Sequence, residues 1–99
     1  MAFLRLAFFP GGTAQHWAAV RQAVGDVDAP TARRAFAAGP AEGGWQVMQF
    51  WDTREELERF NQDVYLPAIA RLGGTGFPQA PIVRDVITVD AWIGEEKLS

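Results

Sequence analysis

Residues 3 to 9 are apolar at every position but Arg5, and Pro10-Gly11-Gly12 closes the run with a turn signal, so the pattern predicts a first strand. Thr13 stands where it can cap a helix running to Val24: Trp17, Val20 and Val24 recur on one face, and Gly25 is the stop. A polar linker holding Pro30 leads to a modest second strand at residues 31–38. Gly39-Pro40 and Gly43-Gly44 mark a loop longer than two residues, and Trp45 to Asp52 complete an antiparallel hairpin. Thr53 followed by Glu56 has the spacing of a capping box and starts a second helix, with Leu57, Phe60 and Val64 on its apolar face. Pro67 lacks an N–H, and its ring collides with the carbonyl four residues earlier. A break is therefore expected at 63–66, with Pro67 opening a short third helix that stops at Gly73-Gly74. A loop rich in Gly and Pro follows through Pro81, and Ile82 to Ile93 predict one long last strand.

The resulting order, β-α-β-β-α-β, predicts a single ferredoxin-like α+β domain over residues 1–94 with a polar tail at 95–99. That topology gives a four-stranded antiparallel sheet in the order 4-1-3-2, with helices on one face and the other face bare. Alternation then divides each strand. In the first, Leu4, Leu6 and Phe8 read as core, and Phe3, Arg5, Ala7 and Phe9 as a mixed face turned away from the helices. In the last, Val83, Ile87, Val89, Ala91 and Ile93 share a face with the lone charge Asp85, opposite Ile82, Arg84, Val86, Thr88, Asp90 and Trp92. The third strand is apolar on both sides: Trp45, Val47 and Trp51 with Gln49, and Met48 and Phe50 with Gln46. Which of its faces meets the helices is open at this point. Phe3, Phe9, Val86 and Trp92 on a wet face would form a large apolar patch. A second copy meeting sheet to sheet in a homodimer is the simplest cover, with Arg5, Arg84 and Asp90 pairing in the interface. A monomer with an apolar sheet is the alternative.

Composition narrows the partners. Hydrophobic residues make up 48% and charged residues 21% of the 99, the proportions of a folded domain. The formal net charge is −3, and the nine Lys and Arg residues are scattered apart from Arg33-Arg34, which excludes a basic stripe for nucleic acid. The absence of cysteine excludes disulfides, thiolate nucleophiles and cysteine metal sites. Arg5 and Pro10 cut the N-terminal apolar run too short for a signal peptide, and no segment approaches the roughly 18 apolar residues of a membrane span. A cytoplasmic protein without membrane contact is the expectation.

Three features carry a resemblance: the short βαββαβ chain, the strand Gly44-Trp45-Gln46-Val47-Met48-Gln49-Phe50-Trp51-Asp52 passing straight into Thr53-Arg54-Glu55-Glu56-Leu57, and the second helical region containing Pro67. In these the chain resembles the dimeric α+β barrel superfamily, especially the antibiotic-biosynthesis-monooxygenase-like (ABM-like) domains. The resemblance implies two sheets closing into a barrel across a dimer, with any ligand held between each sheet and its own helices. Members include cofactor-independent quinone-forming monooxygenases, haem-degrading enzymes, isomerases and proteins without assigned activity. Many carry a histidine where this chain has Phe60 and Asn61, and the haem-degrading members need one further along that helix. Only His16 is present, on the other helix, so haem is disfavoured and no cofactor is expected.

The candidate catalytic residues are Asn61, Tyr65 and His16. His16 is the one side chain whose ordinary pKa lies near neutrality, but in the first turn of a helix a partly exposed structural histidine is the commoner outcome, and one histidine is too little for a metal site. Asn61 and Tyr65 are four apart on the second helix and project toward the same part of the sheet. With Trp17, Trp45, Gln49 and Trp51 they form the expected ligand-binding set, set against the plainer reading in which the tryptophans pack and Asn61 faces water. Polar groups within aromatic walls would suit a cofactor-independent monooxygenase acting on a polycyclic phenol, because they orient the substrate and stabilise its anion. Glu55, Glu56 and Glu58 read as a solvated face, and the turns at 9–13 and 72–78 as lacking the features of a phosphate loop. The expectation is a small dimer with an apolar ligand pocket between sheet and helices, the monooxygenase and a purely structural dimer being the alternatives.

Overall fold

In the computed structural model, which describes residues 2–25 and 30–98, the first apolar run forms β1 (Phe3–Pro10), and Gly11 at φ 70° turns the chain out of it. Helix α1 (Ala14–Val24) begins at Thr13, whose hydroxyl accepts from the His16 N–H while His16 Nδ1 accepts from the Thr13 N–H at 3.1 Å. This is a complete capping box with histidine in the place usually held by Glu or Gln. Gly25, at φ 75°, ends the helix. The polar linker expected next falls, at positions 26–29, outside the described residues.

β2 (Arg33–Ala41) and β3 (Gly44–Trp51) pair from Ala41 opposite Gly44, so the turn is only two residues, Glu42-Gly43, rather than the longer loop the glycines suggested. Gly39 and Pro40 lie inside β2 instead of punctuating it. β2 is an edge strand, a place in a sheet where proline's missing donor is tolerated. Gly44 is required at the start of β3, because a Cβ there would overlap the backbone carbonyl of Phe9 on β1. Gly44→Ala is expected to destabilise the fold by about 2 kcal/mol through displacement of the β1–β3 ladder. A urea titration that leaves the midpoint unmoved would refute this.

After Thr53 the chain is helical without interruption: α2 (Arg54–Phe60), a π-helical turn (Asn61–Tyr65) and α3 (Leu66–Ala70). The expected break before Pro67 does not occur. The wider turn, in which the Leu66 N–H donates to the Asn61 carbonyl, removes the carbonyl clash by stretching the ladder by one residue. At Thr53 only half of the expected capping box forms. The Glu56 N–H donates to the threonine hydroxyl at 3.2 Å, while the Glu56 carboxylate turns to Arg59 at 3.4 Å.

β4 (Ile82–Ile87) stops well short of the expected Ile93. Ile87 lies opposite Phe3, the first residue of β1, and past it Thr88 ties back to the chain before β1 through its N–H and hydroxyl, both donating to the Ala2 carbonyl. The chain ends instead in a short hairpin of β5 (Trp92–Ile93) and β6 (Glu96–Lys97), so part of the expected polar tail is structured. The main sheet is antiparallel in the order β2-β3-β1-β4, the expected order read from the opposite edge.

The two faces are reversed relative to the sequence reading of β1. Phe3, Arg5, Ala7 and Phe9 stand in register with Trp51, Gln49, Val47 and Trp45 on β3 and share the face toward the helices; Phe3, Ala7 and Phe9 are buried there. Leu4, Leu6 and Phe8 lie on the open face with Met48, Ile82 and Val86, of which the last three are exposed. The charge at Arg5 made its face look wet. In the structure Asp85 stands directly opposite it across β1 and β4, so the charge enters the interior already paired, on the face toward the helices rather than the open one.

Candidate functional site

The core on the helix side falls into two clusters. One holds Ala7, Phe9, Trp45 and Val47 with Trp17 and Phe77 packed against them; the other holds Phe3, Trp51 and Leu57 with Ala32 and Phe60. Between them a row of side chains crosses all four strands at one register, Phe36-Gln49-Arg5-Asp85. Three members are polar and neighbouring Ala7 is small, so the helices cannot close down over this row as they do at either end. A cavity of about 140 Å³ results. Its floor is Arg5, Ala7, Val47, Gln49 and Val83 on the sheet, and its roof and rim come from Trp17, Val20 and Val24 on α1 and Phe60, Asn61 and Tyr65 on the second helical segment. Arg21, Pro30, Arg33 and Phe36 complete one end.

Each polar group on this surface has its own setting. Arg5 donates two hydrogen bonds to Asp85, both 2.8 Å, and the two side chains are each 18% exposed. The bonding raises the guanidinium pKa and holds the Asp85 carboxyl below the usual carboxylate range, with Arg54 adding to the effect on Asp85 from 3.4 Å. Gln49 accepts from the Trp51 indole N–H at 3.0 Å, which fixes its amide and turns its NH₂ donors away from that bond. Burial pushes the Tyr65 phenol above its ordinary range, so at neutral pH it is an O–H donor. Among the described residues no hydrogen-bond partner is present for the Asn61 amide or the Tyr65 hydroxyl. The π-helical turn spans both residues and presents them on one side of the cavity.

The residues expected to form a site therefore divide. Trp17, Gln49, Asn61 and Tyr65 meet around the cavity. Trp45 and Trp51 share the helix-facing side of β3 with Gln49 but sit at its two ends, buried in the separate core clusters. The Trp45 Nε1 is buried without a hydrogen-bond partner among the described residues. His16 is committed to the cap of α1 and does not line the cavity. The face of β3 left open by alternation is now assigned: Trp45, Val47, Gln49 and Trp51 meet the helices, and Gln46, Met48 and Phe50 look the other way.

Sequence reasoning missed the arginines. Arg5 and Asp85 were legible as lone opposite charges on apolar strand faces, and adjacency of the two strands was the signal that they pair. Arg33 was not legible in this way, because a register shift between Arg33 and Ala35 breaks the alternation that would have placed it. A second, open groove of about 300 Å³ lies between α1 and the turn that follows α3, where Arg71 donates to the Ala23 carbonyl at 3.1 Å. It lacks the aromatic walls of the first. Among the described residues no group of three or more His, Asp or Glu side chains is placed to hold a metal ion, and no helix is long and apolar enough to cross a membrane.

No protein-family model matches the chain, and no curated protein does. Among solved structures, that of Rv0793 from Mycobacterium tuberculosis is similar, with a TM-score of 0.63 over 92% of this chain and 98% of that one at 17% sequence identity. A likeness at that identity is one of fold: a small α+β chain built on an antiparallel sheet.

Proposed function

We propose that this protein binds a small aromatic ligand in the cavity between sheet and helices, as a homodimer of the ABM-like, ferredoxin-like α+β-barrel kind. The observation that carries the ligand reading is the aromatic-walled cavity of about 140 Å³ with Gln49, Asn61 and Tyr65 around it. An engineered cavity of about 150 Å³ in another protein takes up benzene, so the volume here suits one aromatic ring. The polar groups would orient that ring through its substituents. A saturating single-ring ligand should raise stability by about 2.7 kcal/mol at a hundredfold excess over its Kd. Thermal unfolding with toluene, phenol and indole tests this. Ala7→Leu, which fills the cavity from its floor, should abolish the rise in Tm, and a wild-type protein indifferent to all three compounds would sink the reading.

The dimer reading rests on the open face of the sheet, where Leu4, Leu6, Phe8, Met48, Ile82 and Val86 present an apolar surface with Arg84 as its charge. A self-complementary strip of this kind suits an isologous contact with a second copy. Light scattering should give twice the 10.9 kDa of one chain, reverting to a single mass in Met48→Glu. A wild-type monomer at micromolar concentration refutes it. The monooxygenase is the second reading, favoured by the convergence of Asn61 and Tyr65, whose neutral hydroxyl could donate to a substrate oxyanion. The cavity volume weighs against a polycyclic phenol as its substrate.

A further inference from the structure

The chain is acidic overall, with a net charge of −3, yet the described lining of the cavity contains three arginines and no carboxylate. Arg5 is answered by Asp85. Elsewhere Arg34 reaches Asp52 and Glu96, Arg54 shares Asp85, Arg59 pairs with Glu56 and Arg71 donates to a backbone carbonyl. Arg21 and Arg33, at the α1–β2 end of the cavity, form no ion pair with a described residue.

Arg33 is half-buried, with its guanidinium 4.7 Å from the ring centre of Phe36 and 5.7 Å from that of Phe60. These contacts engage the π faces of the rings, whereas the guanidinium N–H donors point outward in its own plane and remain available. Burial and the proximity of Arg21 both act against its charge. A cation so placed is a cost in the empty protein, and the charge of an anion bound beside it would offset both the desolvation and the repulsion. The adjoining space accepts one aromatic ring. We propose, resting on the ligand-binding reading above, that the occupant is a single-ring aromatic carboxylic acid whose carboxylate is taken by Arg33, with Arg21 as the second cation. The planar fork of donors matches a carboxylate in two-point contact, and the ring extends over Ala7 and Val47 toward Tyr65.

Benzoate, benzamide and toluene, titrated into the full chain by calorimetry at low salt, distinguish recognition of the carboxylate from binding of the ring. Benzoate is expected to bind roughly tenfold or more tightly than isosteric benzamide, the advantage of a charge-assisted contact. Arg33→Gln should remove most of the preference for benzoate over benzamide, Arg21 keeping a residual part of it, and Arg33→Lys should restore part of the difference. Should Arg33→Gln not fold, the wild-type ratio decides alone. Binding of toluene or benzamide with no preference for benzoate overturns the carboxylate assignment and leaves the ligand reading standing. Failure of all three compounds to bind overturns both. Displacement of benzoate by inorganic phosphate at comparable concentration would show a general anion site and overturn the aromatic-acid assignment.

Discussion

Trp51→Ala is expected to lower the free energy of unfolding by about 4 kcal/mol, the upper part of the range for truncating a buried aromatic side chain. Trp51 is 0% exposed and packs with Phe3 and Leu57, and its ring centre lies 5.9 Å from that of Phe60. Its removal leaves a hole where β3 meets α2, bounded by strand backbone on one side, so little can move in to fill it. A domain of this size has on the order of 5–15 kcal/mol in all, and the variant should be partly unfolded at modest urea concentrations. Trp51→Phe isolates a second role. It keeps most of the packing but removes the indole N–H, releasing Gln49 from the 3.0 Å hydrogen bond that fixes its amide. That variant should lose about 1 kcal/mol of stability and show altered affinity for a ring ligand. If Trp51→Ala melts with the wild type, Trp51 is not the keystone of its cluster.

Asp85→Asn is expected to cost about 2–3 kcal/mol at neutral pH, somewhat below the loss for a wholly buried pair because both side chains retain 18% exposure. The asparagine leaves Arg5 charged beneath the helices with weaker acceptors and removes the partner of Arg54. The pH dependence has a definite sign. Arg5 depresses the folded-state pKa of Asp85, so the stabilisation is complete above the unfolded carboxyl value of about 3.9 and is lost as pH falls through the lower folded value. Urea titrations between pH 7 and pH 2 should therefore show the wild-type and Asp85→Asn curves converging in acid. A constant gap across that range would mean that the side chain acts by shape rather than charge. The paired replacement Arg5→Met with Asp85→Leu should recover most of the loss, because no uncompensated charge then remains inside.

Strand and helix order was legible because turn chemistry and caps are local. Pro10-Gly11-Gly12 ends β1, and Thr13 and Gly25 bound α1, as the sequence indicates. Elements governed by neighbours were not legible. Ile82 to Ile93 has the composition of one strand, yet its length is set by where β1 begins, at Phe3. Pro40 reads as a breaker until its strand is known to be an edge. The inversion of the β1 faces has the same origin, since both sides are mostly apolar and only the charge opposite Arg5 decides between them. For the cavity, the convergence of Asn61 and Tyr65 followed from spacing, whereas the place of Gln49 depended on which face of β3 meets the helices, and the exclusion of Trp45 and Trp51 on their packing into separate clusters.

The π-helical turn at Asn61–Tyr65 does more than accommodate a proline. It acts as a phase shifter within one continuous rod, because one additional residue in the winding rotates everything downstream by about 100° relative to an unbroken α-helix. Upstream, Leu57 is buried where α2 meets β3; downstream, Ala68 is buried where α3 meets α1. A single helical run thus addresses a strand with its first half and another helix with its second. The residue count between Phe60 and Leu66, and not the chemistry of any one side chain there, governs that change of address and with it the side on which the cavity is closed.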